Sequence, residues 1–199
     1  MTTTPFFKTF SHPDKARIGA IGENMVISKL MQFGWDAFNV NGSIKNFKSI
    51  DIVCLNSKLP ESAAQQWKPK TSLIQVKTSV QKNITAGFSI GDCLDKEKLE
   101  SEVKGPYVFL KVEPSESGDW EFRYFILSRT QFIDLLYASN QWYFNDWERE
   151  KEISKTSPAG LEVDWLIGKD VEENKRHKSF ANPLKGSSCE DCWENIWKD

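Results

Sequence analysis

Ser72-Leu73-Ile74-Gln75-Val76-Lys77-Thr78 sets two polar residues, Gln75 and Lys77, into an otherwise aliphatic run. Such a run, with polar and proline-containing sequence ahead of it, reads as a β-strand. Side chains alternate between the faces of a strand, so Gln75 and Lys77 share one face, roughly 7 Å apart at Cα. Val76 points the other way and can fill the core, while its main-chain carbonyl stays near the polar pair. A charge in a buried strand costs several kcal/mol unless it is paired or binds a metal. The stretch therefore predicts a central strand that carries a site.

Working outward, Ile50-Asp51-Ile52-Val53-Cys54-Leu55 reads as a second strand with one acid embedded in it. Trp35–Val40 reads as a strand before it, closed by the turn signal Asn41-Gly42. Further upstream, Ile18, Ile21, Met25, Ile27, Leu30 and Met31 give a helical stripe over 14–33. Asp14 is the expected N-cap and Gly34 the expected stop. Glu23 lies one turn before Ile27 on that inward stripe. Gly19 and Gly22 weaken the helix by about 1 kcal/mol each, which makes sense if its backbone packs closely on a neighbour.

Downstream, 56–71 reads as a loop, 95–103 as a short charged helix, and 106–112 and 121–127 as two strands. Ser128 with Gln131 is a capping-box pattern opening a helix to about Ala138. Residues 141–188 are expected to be irregular with short elements, and Trp193–Trp197 to close as a short helix. Helices interleaved with strands in this order indicate an α/β class and fit sandwiches poorly.

The chain of 199 residues, 39% hydrophobic and 27% charged, suits one domain with a packed core. No apolar run is long enough for a membrane helix. Met1–Phe10 lacks a basic start and apolar stretch, so no signal peptide is expected. A cytoplasmic location without membrane association is the default. Cys54 reads as a buried small hydrophobe. Cys189 and Cys192 form a lone C-x-x-C without the second pair that zinc requires, so two reduced thiols are expected.

Net charge is −2, which alone argues against a general nucleic-acid binder. Residues 41–82, however, hold Lys45, Lys48, Lys58, Lys68, Lys70, Lys77 and Lys82 against Asp51 and Glu61. Such a basic segment suits a phosphate-facing surface, although lysine runs are more often simply solvated. Here the segment also contains the candidate site.

Glu23, Asp51 and Gln75 supply hard oxygen ligands, the set that Mg²⁺ prefers. Lys77 would orient or deprotonate an attacking water and offset charge in the transition state. A purely structural alternative pairs Glu23 with Lys77 in a salt bridge and leaves Asp51 capping a turn.

The segments Gly19-Ala20-Ile21-Gly22-Glu23, Ser49-Ile50-Asp51-Ile52-Val53 and Ile74-Gln75-Val76-Lys77-Thr78-Ser79 resemble the PD-(D/E)XK nuclease superfamily. The likeness is to its Holliday-junction-resolvase-like and restriction-endonuclease-like members. It implies a restriction-endonuclease-like α/β fold, a mixed central β-sheet flanked by helices. It also implies metal-dependent endonucleolytic hydrolysis of phosphodiester bonds in DNA. By that resemblance Glu23, Asp51, Gln75 and Lys77 are the catalytic residues. Asp51, Gln75, the Val76 carbonyl and Glu23 would hold Mg²⁺, with Mn²⁺ as substitute. DNA is the implied partner, and a homodimer is an assembly the resemblance allows.

Two positions depart from the pattern. Ile50 stands where a proline is common, and Gln75 replaces the usual acid, which removes a charge from the metal site. Motifs carry the resemblance over 15–80, and element order alone carries it to about 138. The expected division is a lead-in at 1–14, a nuclease-like core at 15–140, and a Trp-rich C-terminal extension at 141–199 packed on that core. The alternative function is a catalytically impaired protein of the same fold, acting as a nucleic-acid-binding or protein-interaction subunit. Trp142, Tyr143, Phe144 and Trp147 could make an interaction patch or a stacking platform, though aromatics of this kind are more often core.

Overall fold

A computed structural model of the chain describes residues 12–41, 49–56, 70–115, 119–146, 153–169 and 180–199. Helix α1 (His12–Gln32) leads into strands β1 (Asp36–Asn39), β2 (Ile52–Asn56) and β3 (Lys70–Ser79). Strand β4 (Asn83–Ser89) and helices α2 (Ile90–Cys93) and α3 (Lys96–Glu102) follow. The chain continues through β5 (Tyr107–Pro114), β6 (Trp120–Leu127), α4 (Arg129–Gln141), β7 (Pro158–Glu162) and α5 (Val163–Leu166). A π-helical turn (Trp142–Asp146) extends α4, and a 3₁₀ turn spans Trp193–Trp197.

Five strands form one mixed sheet in the order β1-β2-β3-β5-β6. Only the β3–β5 pair is parallel; the other neighbours are antiparallel. A parallel pair needs a crossover connection, and β4, α2 and α3 provide it. The chain is thus mixed α/β with a five-stranded central sheet.

Both faces of this sheet are covered, which explains why the β5 segment YVFLKV is almost unbroken in its hydrophobicity. Val108, Leu110, Tyr124 and Ile126 join Val26 and Leu30 of α1, with Trp193 and Ile196 of the 3₁₀ turn. The intervening Tyr107, Phe109, Phe125 and Leu127 point to the opposite face. There they meet Phe132, Leu135 and Leu136 of α4 and Ile84 and Leu161 of the β4/β7 pair.

The buried line of α1 is Ile18, Gly22, Val26 and Leu30, four residues apart. Val26, left out of the predicted stripe, is fully buried, whereas Met31 is 58% exposed. The helix starts two residues ahead of Asp14. Gly34 ends it as expected, with a left-handed φ of 80° and its N–H donating to the Met31 carbonyl. A side chain on Gly22 would meet Thr78 Oγ1 at 1.8 Å. Gly22 is therefore the point where helix backbone and β3 touch, while Gly19 faces open space.

Ser128 and Gln131 form the predicted capping box on α4. Strands β4 and β7 were not predicted. The β4 segment NITAGFS contains a glycine, and β7 opens on a proline, both of which weaken a local strand signal. Trp142 lies in the core, edge-on to Trp165 and tilted against Phe180, so it is no exposed platform. Trp147, Gly42, the 57–69 part of the predicted loop and Lys45, Lys48, Lys58 and Lys68 lie outside the described residues, as do residues 1–11 of the lead-in.

Candidate metal centre

Asp51 stands immediately before β2. Its main chain continues the sheet, with its N–H donating to the Ile74 carbonyl (2.9 Å) and its carbonyl accepting from Val40 (2.9 Å). Two residues earlier, Ser49 has a φ of 75°, a left-handed conformation costing a non-glycine residue about 1 kcal/mol. The carboxylate is buried and points past the end of β2 towards β3. Oδ2 accepts from the Val76 N–H (2.8 Å) and from the Gln75 Nε2 amide, and Oδ1 accepts from Asn41 Nδ2 (3.0 Å).

This position follows from the register. β2 and β3 pair from Ile52 opposite Ile74 to Asn56 opposite Lys70. Beyond Ile74, β3 has no β2 residue beside it, so the Val76 N–H would lack a partner. The Asp51 side chain supplies it. A residue's N–H and C=O leave a strand on the same edge, so the Val76 carbonyl opens towards the same space. On its other edge β3 is held by β5, with the Gln75 N–H donating to Pro106 (3.1 Å).

Glu23 arrives from α1. Its Oε2 accepts from Asn39 Nδ2 at 2.7 Å, so Asn39 rather than Lys77 is its hydrogen-bond partner. Burial pushes its carboxyl above the usual range. The Asn39 bond opposes this, Asp51 adds to it, and Lys77 opposes it. Burial lowers the affinity of Lys77 for its proton, with Asp51 and Glu23 pulling the other way. The three charges therefore feel one another across α1, the start of β2, and β3. Lys77 lies against β4: a side chain on Gly87, which has a φ of 92°, would come within 3.2 Å of its Cε and 3.4 Å of its Nζ.

All four residues singled out in the sequence thus gather at one end of β3. Four more were missed. Asn39 and Asn41 hold the two carboxylates; they are two apart in a strand-end segment, the spacing of side chains on one face. Gly87 makes room for Lys77 from a strand with a weak local signal. Tyr107 pairs with Gln75 in register and stacks on Phe132. Burial, then the Asp51 charge, raises its phenol pKa.

Among the described residues no three of His, Cys, Asp and Glu gather as ligands. The set at this site is two carboxylates, one side-chain amide and one main-chain carbonyl. These are hard oxygens, and they fit a small divalent cation if the Gln75 amide turns over to present Oε1. Lys82, at the end of the basic segment, pairs with Glu162 (3.7 Å) and Asp164 (3.5 Å). Cys189 is buried, and its thiol is pushed up to about 12 by that burial; Cys192 donates to the Ser188 carbonyl at 3.2 Å. No helix among the described residues is long and apolar enough to cross a membrane. No family model, curated protein or solved structure matches the chain.

Proposed function

We propose that the chain is a metal-dependent endonuclease of the PD-(D/E)XK type, with a restriction-endonuclease-like fold, hydrolysing phosphodiester bonds in DNA. One observation carries this reading. A buried carboxylate, a strand amide, a strand carbonyl edge and a partly buried lysine converge where β2 stops short of β3, with a helix carboxylate behind them.

Asp51, Gln75 Oε1, the Val76 carbonyl and Glu23 would hold Mg²⁺ or Mn²⁺. Bound there, the ion supplies a water of lowered pKa and offsets negative charge on the phosphoryl group. Asn41 and Asn39 fix the two carboxylates by donating to one oxygen of each. Lys77 would orient the attacking water or take its proton, and would offset charge in the transition state. The test is plasmid nicking with Mg²⁺ or Mn²⁺ by the wild-type chain, Asp51→Ala and Lys77→Ala. Loss of cleavage in both variants is expected, and equal cleavage by them would sink the reading.

A second reading rests on the bond between Gln75 and Asp51. It satisfies the carboxylate without a cation, which suits a protein that keeps the fold as a nucleic-acid-binding subunit and has lost the chemistry. Calorimetry distinguishes the two: DNA binding with no uptake of Mg²⁺ or Mn²⁺ favours the second.

A further inference from the structure

The sheet face that carries Gln75 and Lys77 is covered unequally. Ile52, Cys54, Ile74 and Val76 belong to the core beneath α1, so Val53, Leu73, Gln75 and Lys77 between them face the other way. So does Phe38, next to Ala37 of that same core. Over β5 and β6 this second face is buried under α4 and the β4/β7 pair. Over β1 and β2, among the described residues, Phe38, Val53, Leu55 and Leu73 join neither core. Phe38 is 56% exposed, and the three aliphatic side chains are half-buried. The border between the covered and uncovered halves falls on β3, where Lys77 lies against Gly87 of β4.

Register sets the uncovered residues beside the site. Phe38 lies opposite Val53, and Val53 opposite Leu73, which makes one apolar row across β1, β2 and β3. Gln75 and then Lys77 follow Leu73 on the same face of β3. Asp51 stands two residues before Val53, so it is the diagonal neighbour of Phe38, about 7–8 Å away. On the other side of Phe38 along β1 stands Asp36, which is exposed. A phosphodiester is drawn towards Lys77 and repelled by Asp36. The part of a nucleotide that reaches Phe38 from a phosphate at Asp51 is therefore its uncharged base.

A single exposed apolar side chain needs no explanation. A flat ring on an aliphatic floor, bordering a site for phosphate chemistry, matches a nucleobase. Every base has a π face, and stacking on an aromatic side chain tolerates any sequence. Inside a duplex those faces are taken by the neighbouring base pairs. A base must be unpaired, or leave its stack, to lie on Phe38.

We infer that Phe38, floored by Val53 and Leu73, is the stacking platform for an unpaired base beside the phosphate engaged at Asp51, so that the substrate is DNA that is single-stranded at the point of attack. The inference rests on the nucleic-acid substrate proposed above, but not on its cleavage.

The test is anisotropy of a fluorescein-labelled oligothymidylate and of a duplex of equal length, both in EDTA, where metal-dependent cleavage is blocked. Phe38→Leu keeps an apolar side chain and removes the π face, and Phe38→Trp keeps the π face. Met31→Ala is the control, since Met31 is as exposed as Phe38 but lies at the end of α1. Phe38→Leu is expected to weaken single-strand binding about tenfold, and Phe38→Trp to restore it. Met31→Ala should shift it by less than about twofold, and so should every variant with the duplex, whose bases are already stacked. With 2-aminopurine at alternate positions of the oligonucleotide, wild type and Phe38→Trp should quench its emission on binding, and Phe38→Leu should not. Unchanged single-strand affinity and quenching in Phe38→Leu would overturn the inference. So would equal losses for single strand and duplex, or no binding of either DNA by wild type. A wild-type dimer in sedimentation velocity that Phe38→Leu converts to monomer would also overturn it, by identifying a second copy of the chain as the occupant. If Phe38→Leu weakens single-strand binding but wild type cleaves neither plasmid nor oligothymidylate with Mg²⁺ or Mn²⁺, the platform stands and the nuclease reading falls. Cleavage by wild type with unaltered binding by Phe38→Leu means the reverse.

Discussion

The Gln75 side-chain amide donates to the same Asp51 oxygen that caps the Val76 N–H. An acid at position 75 would face Asp51 as a like charge, and only a cation or a proton would relieve the repulsion. Glutamine makes the pair self-sufficient. Any divalent ion must first break this bond and turn the amide over, so the cost of ligation is set by one residue.

Gln75→Glu should accordingly trade stability for metal affinity. Without metal it loses a hydrogen bond and gains a repulsive pair, costing roughly 1–3 kcal/mol. Melting in EDTA should fall, and MgCl₂ should raise it more than it does for wild type. Differential scanning fluorimetry with and without MgCl₂ measures both; an unchanged response to the ion would contradict this account.

Asp51→Ala removes the acceptor for Asn41, Gln75 and Val76 together. The Val76 N–H becomes a buried unpaired donor, so the loss should reach about 1–3 kcal/mol or more. Asp51→Asn keeps one acceptor oxygen and should lose less. Urea titration of the two variants gives the ordering.

The two glycines of α1 should respond in opposite directions to the same substitution. Gly19→Ala meets nothing within 4 Å and should stabilise by about 0.8–1 kcal/mol through helix propensity. Gly22→Ala forces its methyl into Thr78 and should destabilise by about 1–3 kcal/mol. It should also displace Glu23, so cleavage by the proposed nuclease should fall further than stability explains. Thermal melts and nicking assays together check this.

Asp92 supplies a pH signature away from the site. Hydrogen bonds from Lys98 and Ser89 hold its carboxyl at about 2, below the ordinary 3.8. The folded state therefore binds its proton less readily than the unfolded chain. The stability it contributes is present above pH 3.8 and is lost as pH falls towards 2. The advantage of wild type over Asp92→Asn in melting temperature should be constant near neutrality and shrink across that window. An advantage independent of pH would show that the ionised form is not what matters.

Periodicity and composition carried much of the fold. The mixed strands and helices, the α4 capping box and the Gly34 stop were legible because each is a local preference of a few neighbouring residues. Asp51, Gln75 and Lys77 were legible for a related reason, as polar residues break an aliphatic run conspicuously. Asn39 and Asn41 gave no such break, because asparagines beside a turn are ordinary. Strands β4 and β7 escaped because their pairing joins Asn83 to Glu162, and neither segment signals a strand alone.

By itself, then, the order of residues determined the strands of the central sheet and the longer helices, and which polar side chains sit among apolar ones. Only the tertiary structure decided that β2 starts two residues short of covering Val76, that α1 touches β3 at Gly22, and that Gln75 donates to Asp51. Strand register and helix docking are settled by contacts between segments far apart in the chain, whereas local pattern reports only on each segment's own backbone and solvent preference.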